Sequence, residues 1–323
     1  MEDEIKWFIL VLILIFVVLV VFYNVLMWTE EKVLFYPTHT VVWEPDIPYN
    51  DLYINANKYQ ECLYDEQDKN PKSSYIHAWH FDNYPGNKTI IFCHGNSGNI
   101  SHRSYIVDIC QKFKLNLLIF DYRGFGSSSC SKPRKDFIKK DGETIYRYLR
   151  QYEKPQNIIV WGESLGGIAA IWIASRYPCR SLLLLSTFSG LDDALMYSCE
   201  DGSSHQSIGS FVASLASLKL DILPNREYIK KVRCPVAIMH SQEDDMIPYQ
   251  CANILYRNIN HDSKVLITIK GRHSSPIISF EQLNKLFMFC DLTLPIYERE
   301  CDIDGLLEEL ETVAEKHHLF MED

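Results

Sequence analysis

The chain has 323 residues, 47% of them hydrophobic and 23% charged, which suits one large folded domain or two ordinary ones and excludes an intrinsically disordered chain. Its formal charge of −10, with no basic stripe to offset it, argues against a nucleic-acid partner. The ten cysteines form no Cys-x-x-Cys pair and no Cys/His grouping at metal-ligand spacing, so no metal and no cofactor is expected; most, like Cys93 and Cys234, sit beside apolar runs and suit buried free thiols.

From Trp7 to Trp28 the sequence carries no charge, and only Tyr23, Asn24 and the two end tryptophans bring polar atoms. As a helix this run is about 33 Å long, enough to cross a hydrocarbon core of about 30 Å. Tryptophans at both ends suit the two aromatic belts of a bilayer. A cleaved signal peptide would have a shorter apolar run and a small-x-small cleavage site, and neither is present. Residues 1–30 are therefore expected to be a single transmembrane anchor. Lys6 and Lys32 balance across it, so charge does not set its orientation. Two glycosylation-type sequons follow, Asn87-Lys88-Thr89 and Asn99-Ile100-Ser101. A glycan on Asn99 would obstruct the site argued below, which favours a cytosolic domain; no organelle is indicated.

After the juxtamembrane piece Thr29–Pro48, strand and helix signals alternate. Short β-branched or apolar runs at Ser74–His80, Thr89–Cys93, Leu115–Asp121, Ile158–Trp161, Ser181–Thr187, Pro235–His240 and Lys264–Ile269 read as strands. Helical patterns fall at Ser101–Phe113, Lys135–Gln151, Leu165–Tyr177, Gln250–Asn258 and Phe280–Phe289. This rhythm predicts an α/β domain over residues 31–290 with a mostly parallel central sheet covered by helices on both faces. The long interval at about 188–230, with Ile208, Phe211, Val212 and Leu215 at helical spacing, reads as a small cap over the carboxyl edge of the sheet, where α/β ligands bind. Residues 291–323 hold eleven acidic residues against Arg299 and Lys316, an acidic tail with one helical piece, Ile303–Glu315.

Gly162-Glu163-Ser164-Leu165-Gly166 is a Gly-x-Ser-x-Gly sequence between a predicted strand and a predicted helix. That is the setting of a nucleophile elbow, a turn too tight for flanking Cβ atoms, which lifts the serine hydroxyl toward a helix N-terminus. A hydroxyl needs a base, and the base an orienting acid, in the order serine, acid, histidine on this kind of sheet. His273, in KGRHSSP after one late strand, is the expected base. Asp244, in HSQEDDMIP after another, is the expected acid by spacing, with Asp245 and Glu243 as alternatives. The oxyanion is expected to be held by the backbone N–H of Leu165 and that of Asn96, in the glycine-bearing loop His94-Gly95-Asn96-Ser97-Gly98-Asn99. His94 suits a structural hydrogen bond in that loop rather than a base.

HGNSGNISHR, DYRGFGSSS, GESLGG and the late Asp and His resemble the α/β-hydrolase superfamily, and within it the membrane-anchored serine-esterase branch of Bem-type proteins, over about Glu31–Phe289. The resemblance implies an α/β-hydrolase fold, with Ser164, Asp244 and His273 as charge-relay residues. It makes DYRGFG a turn in which Asp121 and Arg123 brace loops. Two positions depart from the family pattern. Ser241 replaces a glycine after His240, and Arg272 replaces the glycine before the catalytic histidine, where a bulky cation would depress the basicity of His273 or reach an anionic substrate. The function expected is a serine hydrolase of carboxylic ester or thioester bonds, working at a bilayer on acyl substrates that include lipids and lipid-modified molecules. An acyltransferase using the same triad and a non-catalytic interaction module remain alternatives; the sequence names no protein partner.

Overall fold

The computed structural model of the chain describes Trp7 and residues 34–56, 74–129, 132–200 and 224–290. The expected anchor lies outside them apart from Trp7, as do the acidic tail and the cap positions 208, 211, 212 and 215. Among the described residues no helix is long and apolar enough to cross a membrane.

The strands are β1 (Tyr36–Pro37), β2 (Asn50–Asn55), β3 (Tyr75–Phe81), β4 (Thr89–Cys93), β5 (Ser97–Gly98), β6 (Asn116–Phe120), β7 (Ile158–Glu163), β8 (Ser181–Leu185), β9 (Val236–Ser241), β10 (Lys264–Arg272) and β11 (Ser275–Ile277). The α-helices are α1 (Ser104–Lys112), α2 (Lys135–Leu149), α3 (Gly167–Arg176), α4 (Leu191–Glu200), α5 (Asn225–Ile229), α6 (Tyr249–Asn258) and α7 (Phe280–Phe289). Nine strands form one sheet in the order β11-β10-β9-β8-β7-β4-β6-β3-β2. From β6 to β10 all neighbours are parallel; β2 and β3 at one end and β11 at the other are antiparallel.

Alternation along the central strands divides the core. Ile91, Leu118, Val160 and Leu184 point to one face and pack with α2, α3 and α6 through Ile138, Ile145, Ile168, Ile171 and Leu255. Phe92, Ile119, Trp161 and Leu183 point to the other and meet α1 and α7 through Ile106, Cys110, Leu286 and Phe287. Both faces are covered, which is why these strands read as continuous apolar runs. Each such side chain, taken from water, contributes about 1.5–3 kcal/mol.

Three departures from the sequence reading have local causes. β2 was not anticipated: Asn50–Asn55 is an edge strand in which Ile54 is buried and its neighbours are not, too short a pattern to stand out. β10 runs on to Arg272 because Lys270, Gly271 and Arg272 pair with Ile277, Pro276 and Ser275 in a hairpin. β1, inside the juxtamembrane piece, pairs in parallel with β5, Tyr36 opposite Ser97 and Pro37 opposite Gly98. At the ends of the described part of the cap interval, Arg226 on α5 bonds Asp192 through both terminal nitrogens (2.6 and 2.7 Å) and Asp193 through one (2.9 Å).

Candidate active site

The chain passes from β4 to β6 on one side of β4 and returns to β7 on the other, so the carboxyl ends of β4 and β7 lie side by side, Cys93 opposite Gly162. Crevices at such reversals are where α/β sheets bind ligands. Ser164 directly follows β7 and begins a single 3-10 turn, Ser164–Gly166, that leads into α3. Its φ of +51° lies in the left-handed region, a conformation that costs a non-glycine residue free energy and is held by its surroundings. Part of that hold is the Thr187 hydroxyl, which donates to the Ser164 carbonyl at 2.6 Å. Two glycines permit the turn. A Cβ on Gly166 would stand 1.9 Å from the Cys93 carbonyl oxygen, and one on Gly162 would stand 2.7 Å from the Ala170 Cβ.

The structure brings the three relay candidates together. Ser164 Oγ lies 2.9 Å from His273 Nε2, and His273 Nδ1 lies 2.9 and 3.0 Å from the two carboxylate oxygens of Asp244. With Nδ1–H donating to Asp244, Nε2 is left to accept from the serine hydroxyl. The Asp244 side chain is fully buried and that of His273 is 11% exposed. Asp244 Oδ1 also accepts from the backbone N–H groups of Met246 (3.0 Å) and Ile247 (2.8 Å). Burial alone would raise this carboxyl; the His273 hydrogen bond and charge, with the Ile247 N–H, bring it below its ordinary value. Burial likewise acts to lower His273, but the hydrogen bond and charge of Asp244, helped by Glu163 and Asp245, leave it raised.

The neighbouring acids, alternatives by spacing, have other partners. Glu243 accepts from the Gly271 N–H at 3.0 Å and Asp245 from the His273 N–H at 3.1 Å, so both hold the backbone that carries the histidine. Arg272 is exposed beside His273, where burial acts to lower the imidazole and the neighbouring carboxylates outweigh it. The glycine expected just before the histidine is Gly271, one residue earlier. It takes φ +87°, and a Cβ there would meet the Ser275 carbonyl at 2.3 Å.

Leu165 is buried in the turn after Ser164. Asn96 lies in the loop after β4, where a Cβ on Gly95 would stand 3.5 Å from the Ser164 Cβ, so this loop passes directly beside the nucleophile candidate. His94 is wholly buried, with Nδ1 2.8 Å from the Gly95 carbonyl; burial pushes it down to about 3, so it is neutral and structural, as its loop position suggests. Behind the loop, Asp121 Oδ1 accepts from the Ile100 N–H at 3.0 Å. Arg123 donates to Asp141 through Nε (2.7 Å) and its backbone N–H (2.8 Å). Both brace loops, as expected.

Two features of the site were not read from sequence. The first is the strap that contains β1. Tyr36 N–H donates to the Asn96 carbonyl at 2.9 Å. The Asn99 side-chain amide donates to the Thr38 and Thr40 carbonyls at 3.0 and 2.8 Å, and its oxygen accepts from the Ser101 N–H and hydroxyl at 2.9 and 2.6 Å. Asn99 is 2% exposed, so the folded chain has no room for a glycan there. The second is Glu163, whose carboxylate accepts from the Tyr105 hydroxyl and lies 3.9 Å from Arg103 Nε. Arg103 in turn donates to the Ser97 carbonyl at 2.8 Å.

Comparison with known proteins agrees with this architecture. A family model described as the alpha/beta hydrolase fold matches residues 88–202. Uncharacterized protein R595 of Acanthamoeba polyphaga mimivirus is 30% identical over 239 residues, 68% of this chain and 78% of the viral one. The chain belongs to the α/β-hydrolase superfamily. Alpha/beta hydrolase domain-containing protein 17C of Xenopus tropicalis is 28% identical over 216 residues, 65% of this chain. This chain spans 64% of that relative's length. Among solved structures, the Pyrococcus furiosus esterase Pf2001 superposes with a TM-score of 0.61 at 19% identity, over 80% of this chain and 97% of the esterase, a likeness of fold.

Proposed function

We propose that this α/β hydrolase is a membrane-anchored serine hydrolase of the Bem-type branch, cleaving carboxylic ester or thioester bonds through an acyl-enzyme on Ser164. The observation that carries the reading is the continuous relay from Ser164 Oγ to His273 Nε2 at 2.9 Å and from His273 Nδ1 to Asp244 at 2.9 Å. As Ser164 Oγ attacks the acyl carbon, His273 Nε2 takes its proton and Asp244 stabilises the imidazolium. The carbonyl oxygen becomes an oxyanion held by the backbone N–H groups of Leu165 and Asn96. Collapse expels the alcohol or thiol, which takes the proton from His273. Water, activated by the same imidazole, then releases the acid and restores Ser164.

The apolar run Trp7–Trp28 supports the anchor, and the strap supports its relevance to the site. Seven residues lie between Trp28 and Tyr36, and the eight steps reach at most about 29 Å. Tyr36, Val41 and Val42 on the strap are exposed apolar residues, and the strap is bonded to the loop beside Ser164. A bilayer would then lie within one short tether of the site, which favours lipid or lipid-linked acyl groups as substrates.

A fluorophosphonate probe tests the reading. The expected result is covalent labelling of the wild-type chain and none of Ser164→Ala. An unlabelled, folded wild type would instead favour a hydrolase-like interaction module. We place the catalytic domain on the cytosolic side, because a glycan added to Asn99 before folding could not then be buried. Asn87 is exposed and is the sequon that reports the side. Treatment of the native protein with an N-glycosidase is expected to leave its mobility unchanged; a shift abolished by Asn87→Gln would put the domain on the other side.

A further inference from the structure

Cys179 lies two residues before β8 and Cys234 two residues before β9, at the amino ends of adjacent parallel strands and one residue out of register with each other. The first rung between those strands, Leu182 opposite Val236, is preceded by a hydrogen bond from the Leu182 N–H to the Pro235 carbonyl at 2.9 Å. This places the two sulfur atoms 3.4 Å apart. Cys93, Cys110, Cys251 and Cys290 are buried, whereas Cys179 and Cys234 are only partly buried. Cys234 is a free thiol, as expected, but it is partly rather than fully buried. Among the described residues no group of three or more His, Cys, Asp or Glu, this pair included, is placed to hold a metal ion.

We propose that Cys179 and Cys234 form an oxidation site, joined by peroxide-class oxidants into a disulfide that ties the amino ends of β8 and β9 and is released by small-molecule thiols. Closing the sulfurs from 3.4 Å to the bonded length of about 2.05 Å needs side-chain rotation rather than a new fold. Either thiol can attack first, since the two sulfurs stand as one pair 3.4 Å apart. One thiol gives up its proton, its thiolate breaks the peroxide O–O bond and becomes a sulfenic acid, and the departing hydroxide takes that proton and leaves as water. The other sulfur then attacks that sulfur, loses its proton and displaces the hydroxyl as a second water. Two thiols lose two hydrogens and two electrons in all, and the peroxide takes both.

The bond would close a loop carrying β8, α4 and α5 at the edge of the sheet opposite Ser164. It constrains the unfolded chain without touching the relay, and the inference does not depend on the hydrolytic reading. The test uses the full chain in detergent, treated with hydrogen peroxide, alkylated and mapped by mass spectrometry. The expected result is a Cys179–Cys234 linked peptide, lost on adding dithiothreitol, with an unfolding midpoint about 5–10 °C above that of the reduced protein. Cys179→Ser and Cys234→Ser should each remove the link and the shift, while Cys290→Ser keeps both. The proposal is overturned if peroxide leaves both wild-type thiols open to alkylation, or if Cys234 is found joined to Cys290. A linked peptide with no rise in midpoint would overturn the constraint.

Discussion

Asp244→Asn is expected to lower kcat about 10,000-fold with little change in KM, the loss that follows when the base is held in the wrong tautomer. Asp245→Asn and Glu243→Gln are expected to lose at most about 100-fold, the effect of a misplaced but intact base. The contrast follows from what each carboxylate holds. Asp244 takes the imidazole Nδ1 at 2.9 Å, whereas Glu243 and Asp245 take the N–H groups of Gly271 and His273. An asparagine at 244 still fills the site, but it can present an N–H to Nδ1. The ring then carries its proton on Nε2, where it cannot accept from Ser164. Steady-state kinetics on a chromogenic short-chain ester decides the matter. Equal losses across the three variants, or a dominant loss at Asp245, would show that the carboxylate orienting the base had been misassigned.

Much of this was legible in the chain because the elements that matter are buried on both sides. β4, β6, β7, β8 and β9 are apolar runs bounded by polar or turn residues, and their alternation with helices indicates the parallel order before any contact is known. The serine was readable because Gly162 and Gly166 tolerate no side chain, a steric constraint written directly in the sequence. The choice among Glu243, Asp244 and Asp245 was not settled by pattern. Three adjacent acids share one composition and differ only in direction, which the turn after β9 and the hairpin between β10 and β11 determine. The strap was hidden for a different reason. β1 is two residues long, and its bonds run to a loop about sixty positions away, so no local periodicity marks it. Glu163 was passed over because it occupies the variable position of the Gly-x-Ser-x-Gly pattern, where side-chain identity is not required by the turn.

The acid limb of kcat/KM is expected to fall above the ordinary imidazole value of 6.5, and Asp244→Asn is expected to move it to lower pH. His273 must be neutral at Nε2 to accept the Ser164 proton, so turnover is lost as pH falls through its folded-state pKa. Burial favours the neutral ring and acts to lower that pKa. The Asp244 hydrogen bond and charge favour the imidazolium and outweigh burial, with Glu163 and Asp245 adding in the same direction. Removing the Asp244 charge therefore leaves burial less opposed, and the residual activity should persist to lower pH. Glu163→Gln separates this electrostatic effect from the relay itself. It removes a nearby negative charge and touches neither the Ser164–His273 nor the His273–Asp244 contact, so its limb should shift down by a smaller amount with most of the plateau kept. An upward shift in either variant, or no shift when Asp244 is neutralised, would mean that the imidazole titrates under other control.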